Sequence, residues 1–96
     1  MVLDFDWDEN KNEINLERHG IDFYTAALVF GDENYVEYYD EPHSKDEDRY
    51  VVIGMAGDVA VLLQVVYTPR NNGKTIRIIS ARKATKEERR LYYGEI

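Results

Sequence analysis

An arginine fixed on a β-strand can hold a phosphate with two parallel N–H bonds. The run Ile76-Arg77-Ile78-Ile79-Ser80-Ala81-Arg82-Lys83 offers two such side chains. On an unbroken strand, Ile76, Ile78, Ser80 and Arg82 share one face, and Arg77, Ile79 and Ala81 share the other. Without a bulge, the two guanidiniums are therefore expected on opposite sides. They could equally pair with nearby carboxylates, as surface arginines commonly do at little energetic gain. His19, just before Gly20, has an imidazole suited to general acid or base work near neutral pH, or it simply meets the negative end of a helix. His43 in the Pro42-His43-Ser44 turn carries the same two readings. Among eight tyrosines, Tyr67, Tyr92 and Tyr93 lie near cations in the sequence and could stack on bases. Tyr35, Tyr38 and Tyr39 read as amphipathic cover for a sheet.

Composition removes several classes of chemistry. The 96 residues contain no cysteine, which excludes disulfides, thiolate metal sites and a thiol nucleophile. Two histidines would need carboxylate help to hold zinc. No Walker loop, dinucleotide fingerprint or serine-nucleophile motif occurs. An enzyme of this sequence is thus expected to work by acid–base and electrostatic catalysis, with no cofactor and no metal. The N-terminal residues lack the pattern of a signal peptide, and Val59 to Leu63 is too short to span a bilayer, so a cytoplasmic location with no membrane contact is expected. Charge is unevenly spread. Residues 1–60 hold four Lys/Arg against sixteen Asp/Glu, whereas residues 61–96 hold eight against three. A body of net −12 therefore carries a segment of net +5, which suits an anionic ligand at one end and a basic partner at the other.

The elements that must position these groups form one α+β domain over 1–96. Asp8 as cap and Gly20 as stop predict a helix over Glu9 to Arg18. Asp22 opens a second, whose residues Phe23, Ala26, Ala27 and Phe30 form an apolar stripe ended by Gly31. Strands follow at Tyr35 to Tyr39, Arg49 to Gly54, Val59 to Tyr67 and Thr75 to Arg82, with turns at Asp40 to Ser44, Ala56-Gly57-Asp58 and Asn71-Asn72-Gly73. Thr85 with Glu88 forms a capping box for a last helix through Tyr92. The expected architecture is two N-terminal helices, a four-stranded antiparallel meander and a C-terminal helix, with all helices on one face.

Several motifs resemble the BrnT family of toxins. They are Trp7-Asp8-x-x-Lys11-x-x-x-Asn15-x-x-Arg18-His19-Gly20-Ile21-x-Phe23, then Ala26 and Phe30, His43-Ser44, Glu47-x-Arg49, Ile53-Gly54 and Thr68-x-Arg70. The most specific is Arg77-Ile78-Ile79-Ser80-Ala81-Arg82-Lys83-Ala84-Thr85, followed by Glu88-Arg89-Arg90-x-Tyr92. The resemblance covers nearly the whole chain. It implies a RelE-like fold and a ribonuclease that halts translation by cutting RNA. It also implies a small antitoxin with a ribbon-helix-helix DNA-binding region, which neutralises the toxin and brings it to operator DNA. Carried onto this sequence, the expected active-site residues are His19, Arg49, Arg70 and Arg82, with Lys11 and Glu47 as further candidates. The expected reaction is metal-independent: the ribose 2′-hydroxyl attacks the adjacent phosphorus and leaves a 2′,3′-cyclic phosphate. A different class remains open, a non-catalytic module that keeps the scaffold and binds only the antitoxin, for which the acidic first half is well suited. A zinc domain using His19 and His43 is a third alternative.

Overall fold

The computed structural model describes residues 4–57 and 60–95. Asp8 accepts hydrogen bonds from the backbone N–H groups of Asn10 and Lys11, and Gly20 takes the left-handed conformation, φ 73°, that a β-carbon would disfavour. Between them runs α1 (Glu9–His19). Asp22 caps α2 (Phe23–Ala27) through the Thr25 N–H, and the chain tightens into a 3-10 turn over Leu28–Gly31. The apolar stripe expected to Phe30 thus continues, with a change of pitch.

The sheet contains β2 (Val36–Tyr39), β3 (Tyr50–Ala56), β4 (Val61–Arg70) and β5 (Thr75–Lys83), paired antiparallel in succession. Val59 and Asp58, expected in the third strand and its hairpin turn, lie outside the described residues. The third strand runs on past Tyr67 to Arg70. Pro69 is tolerated there because β3 pairs with β4 only as far as Tyr67, so its missing N–H faces no partner strand.

Two expectations are corrected. Among the described residues the sheet has five strands in the order β1-β5-β4-β3-β2, because Asp4–Asp6 forms a short β1 parallel to the start of β5. Three residues, two of them aspartates, carry no readable periodicity. Only the pairing with β5 makes them a strand. The helices are also not gathered on one face. α1 and α2 cover one side, where Phe23, Ala26 and Val29 pack with Val52, Leu63, Val65, Ile76, Ile78 and Ala81. Each large side chain fully buried here contributes about 1.5–3 kcal/mol. Gly54 lets the turn after α2 approach this side: a β-carbon there would stand 3.1 Å from Tyr35 Cβ and 3.2 Å from Val29 Cβ.

On the other side, Val51, Ile53, Leu62 and Thr68 are buried. The last helix, α3 (Lys86–Tyr93), packs against β3. Its capping box between Thr85 and Glu88 is present as expected. The side of α3 turned inward consists of Glu88 and Tyr92, one turn apart and half-buried. Both are polar, so no apolar stripe in the sequence announces the docking. Glu88 binds Arg82, and the Tyr92 hydroxyl donates to Asp32 at 2.6 Å.

Candidate functional site

Arginine positions on this second face depend on one irregularity. Val66 stands opposite Ser80, but Tyr67 stands opposite Ile78, so Ile79 is an extra residue on β5. Such a bulge resets which side each following residue faces. Ile76, Ile78 and Ala81 all enter the helix-covered core, while Arg77, Ser80 and Arg82 share the opposite side. The expectation that Arg77 and Arg82 point apart is thereby corrected. Arg70 follows Gln64, Val66 and Thr68 on the same side of β4, and Arg49, just ahead of β3, reaches the same carboxylate as Arg70, that of Glu47. Four arginines thus occupy one face.

Each is met by a carboxylate. Arg82 makes two bonds to Glu88, at 2.8 and 3.0 Å, and a third to the Lys83 carbonyl. Arg77 donates to Asp6 on β1. Glu47 lies between two guanidiniums, 3.1 Å from Arg70 and 3.8 Å from Arg49. The Nε of Arg49 is buried with no hydrogen-bond partner among the described residues. Arg49 and Glu47 also line a cavity of 370 Å³ with His43 and Lys45. Burial would raise the Glu88 carboxyl, yet the bonds from Arg82 and Thr85 outweigh it and hold the pKa below the usual range. Tyr38, opposite Val51, faces the same side. Burial first, and then the charges of Glu88 and Asp40, push its hydroxyl pKa up, with Arg82 opposing.

Lys11 and His19 project from α1 into a pocket of 170 Å³ shared with Arg18, Ile79 and Ser80, beside the β5 edge. The candidates therefore fall into three groups: Glu47 with Arg49 and Arg70, Lys11 with His19, and Arg82 with Glu88. Arg82 stands opposite Gln64, so about 20 Å of strand separates it from Arg70. They border one face without meeting at a point. His43 bonds to Asp40 at 3.0 Å. Among the described residues no cluster of three or more His, Asp or Glu is arranged to hold a metal.

Tyr38, Asp6 and Glu88 were not expected at this surface, nor was a buried Asn15 beside the Lys11–His19 pocket. Asn15 belongs to the N-terminal motif, but nothing in its spacing shows its role. Glu88 reads as a capping residue, and only the fold shows that it also holds Arg82. Tyr67, expected near the cations, instead faces the helix-covered side, where its ring stacks on Tyr50. Tyr92 is committed to Asp32, and the Tyr93 ring lies under Arg89. Phosphate oxygens could displace the carboxylates from these guanidiniums, since both anions offer the same paired acceptors.

No helix among the described residues is long and apolar enough to cross a membrane. Residues 7–88 match the family described as ribonuclease toxin, BrnT, of type II toxin-antitoxin system. No curated protein matches the chain.

Proposed function

The chain belongs to the BrnT family of ribonuclease toxins of type II toxin–antitoxin systems, and from that premise we propose that it cleaves RNA on the four-arginine face. The observation that carries this reading is the bulge at Ile79, which puts Arg77 and Arg82 on the same side of the sheet as Arg49 and Arg70. Glu47, between Arg49 and Arg70, takes the proton from a ribose 2′-hydroxyl. The freed oxygen attacks the adjacent phosphorus and the bond to the 5′-oxygen breaks, giving a 2′,3′-cyclic phosphate and a 5′-hydroxyl. Water protonates the leaving oxygen, since His19 lies in a separate pocket beside the β5 edge. Arg49 and Arg70, which flank Glu47, stabilise the charge that builds on the phosphoryl oxygens, each worth on the order of a hundredfold in rate, while Arg77 and Arg82 hold other phosphates of the strand.

In the cell this activity would inhibit translation in the cytoplasm. A cognate antitoxin with a ribbon-helix-helix region would neutralise it and carry the complex to operator DNA. The deciding experiment incubates the purified chain with single-stranded RNA in the presence of a chelator. Cyclic-phosphate ends and a roughly hundredfold slower Arg70→Ala variant are expected; intact RNA at high protein concentration would overturn the reading.

The pairing of every one of these arginines with a carboxylate favours a second reading, an interaction module without nuclease activity. Binding to uncleavable RNA, titrated against salt, separates the two. A nuclease loses affinity steeply as salt rises, whereas the module binds no RNA at any ionic strength.

A further inference from the structure

On the side of the sheet away from the arginines, a cavity of 350 Å³ opens beyond the turn that follows α2. Its walls are aromatic. Phe30 meets Tyr35 and Tyr67 edge-on, at centroid distances of 6.0 and 5.3 Å, and Tyr50 stacks on Tyr67 at 5.6 Å. Among these rings lies one carboxylate, Glu37. One of its oxygens accepts a 2.7 Å hydrogen bond from the Tyr67 hydroxyl. Burial, and then the bond to Glu37, push the Tyr67 pKa well above its ordinary value, so this hydroxyl remains a donor. None of the ion pairs among the described residues involves Glu37. A carboxylate bordered by ring faces and given only a neutral donor is complementary to a cation, above all to a flat guanidinium that can stack and bond together.

We propose that this cup receives an arginine side chain of a polypeptide partner, which in this family is the antitoxin, with Glu37 bonding the guanidinium and the rings of Tyr35, Tyr50 and Phe30 enclosing it. The acidic character of residues 1–60 favours a basic segment over a nucleic acid at this side. Among the described residues no Lys or Arg lines the cup to receive a phosphate. The proposal rests on family membership and on this cavity, not on nuclease activity. RNA cleavage can fail while this site stands, and the reverse.

The test is an NMR titration of the full chain with the capped tripeptide Gly-Arg-Gly, the same peptide carrying citrulline, and guanosine monophosphate. Saturable shifts confined to the Phe30, Tyr35, Tyr50 and Tyr67 ring signals are expected with the arginine peptide alone. Glu37→Gln should weaken them at least tenfold with the melting temperature unchanged. Should Glu37→Gln fail to fold, Tyr35→Ala at the exposed rim serves the same purpose. Equal shifts with citrulline, an undiminished response in the folded variant, no saturation, or a response to the nucleotide alone would each overturn the proposal.

Discussion

Asn15 stands in for a strand at the open edge of β5. Its side-chain oxygen accepts from the Ala81 N–H at 3.2 Å, and its amide nitrogen donates to the Ala81 carbonyl at 2.8 Å and to the Ile21 carbonyl at 2.9 Å. Among the described residues β1 pairs only with residues 75 to 77, so Ala81 would otherwise turn both backbone groups to an edge without a strand. One buried carboxamide therefore fastens α1, and with it Lys11 and His19, to the strand that carries Arg77 and Arg82.

Asn15→Ala is expected to lower stability by about 2–4 kcal/mol in urea unfolding, because it leaves several buried groups unpaired. Asn15→Asp keeps the shape but sets a carboxylate against two carbonyl oxygens, which raises its folded-state pKa. That variant should be closest to wild type near pH 3 and fall further behind as pH rises past about 4, its unfolded value.

Arg77→Ala tests the bulge. If Arg77 belongs to the same face as Arg82, its loss should weaken binding to uncleavable RNA similarly for all sequences. The slope of log affinity against log salt should shrink by about one. A Lys86→Ala control, off the sheet face, should leave that slope unchanged.

Gly54→Ala should destabilise the chain by about 1–3 kcal/mol in thermal or urea melts, since the new methyl meets Val29 and Tyr35 at little more than 3 Å and part of that wall is backbone. A melting temperature equal to wild type would show that the turn after α2 moves aside freely.

Acid should loosen α3 first. Burial opposes ionisation of Asp32, but hydrogen bonds from the Tyr92 hydroxyl and the Met55 and Asn34 N–H groups outweigh it and lower its pKa. Glu88 is lowered too, against its own burial, by Arg82 and Thr85. A carboxylate whose folded pKa is depressed adds stability that is full above its unfolded pKa, about 4, and is lost as pH falls through the folded value. The Tm-against-pH curve should therefore drop below about pH 4, and the double variant Asp32→Asn, Glu88→Gln should flatten that drop. Tyr92 shows the reverse sign: its bond to Asp32, with burial, raises its pKa to about 12, so the contribution persists from neutral pH until alkali approaches that value.

Caps and turns were legible in the sequence because they are local. Asp8, Gly20, Asp22 and the Thr85–Glu88 box all act within a few residues of themselves, and the structure keeps each one. The strands from 36 onward were readable for the same reason. β1 was not, since its partner lies some seventy residues away and its own three residues carry no pattern. The bulge was equally hidden: Ile78-Ile79 reads as uninterrupted strand, and only the pairing with β4 shows the extra residue. Of the candidate site, residue types were readable. Their grouping was not, because sequence separation says nothing about which side of a sheet a side chain faces.

The sheet's borders limit how any partner can attach. Among the described residues, the outer strand at one margin is three residues long with two aspartates, and beyond it the Asn15 carboxamide occupies the hydrogen-bonding groups of Ala81. Among the described residues, the other margin is β2, only four residues long. A peptide seeking to lengthen this sheet by backbone pairing has that one brief opening, and entering there would bring it alongside Glu37. Elsewhere a partner has to recognise side chains and lie across the molecule, so its specificity would be written in surface chemistry instead of strand register.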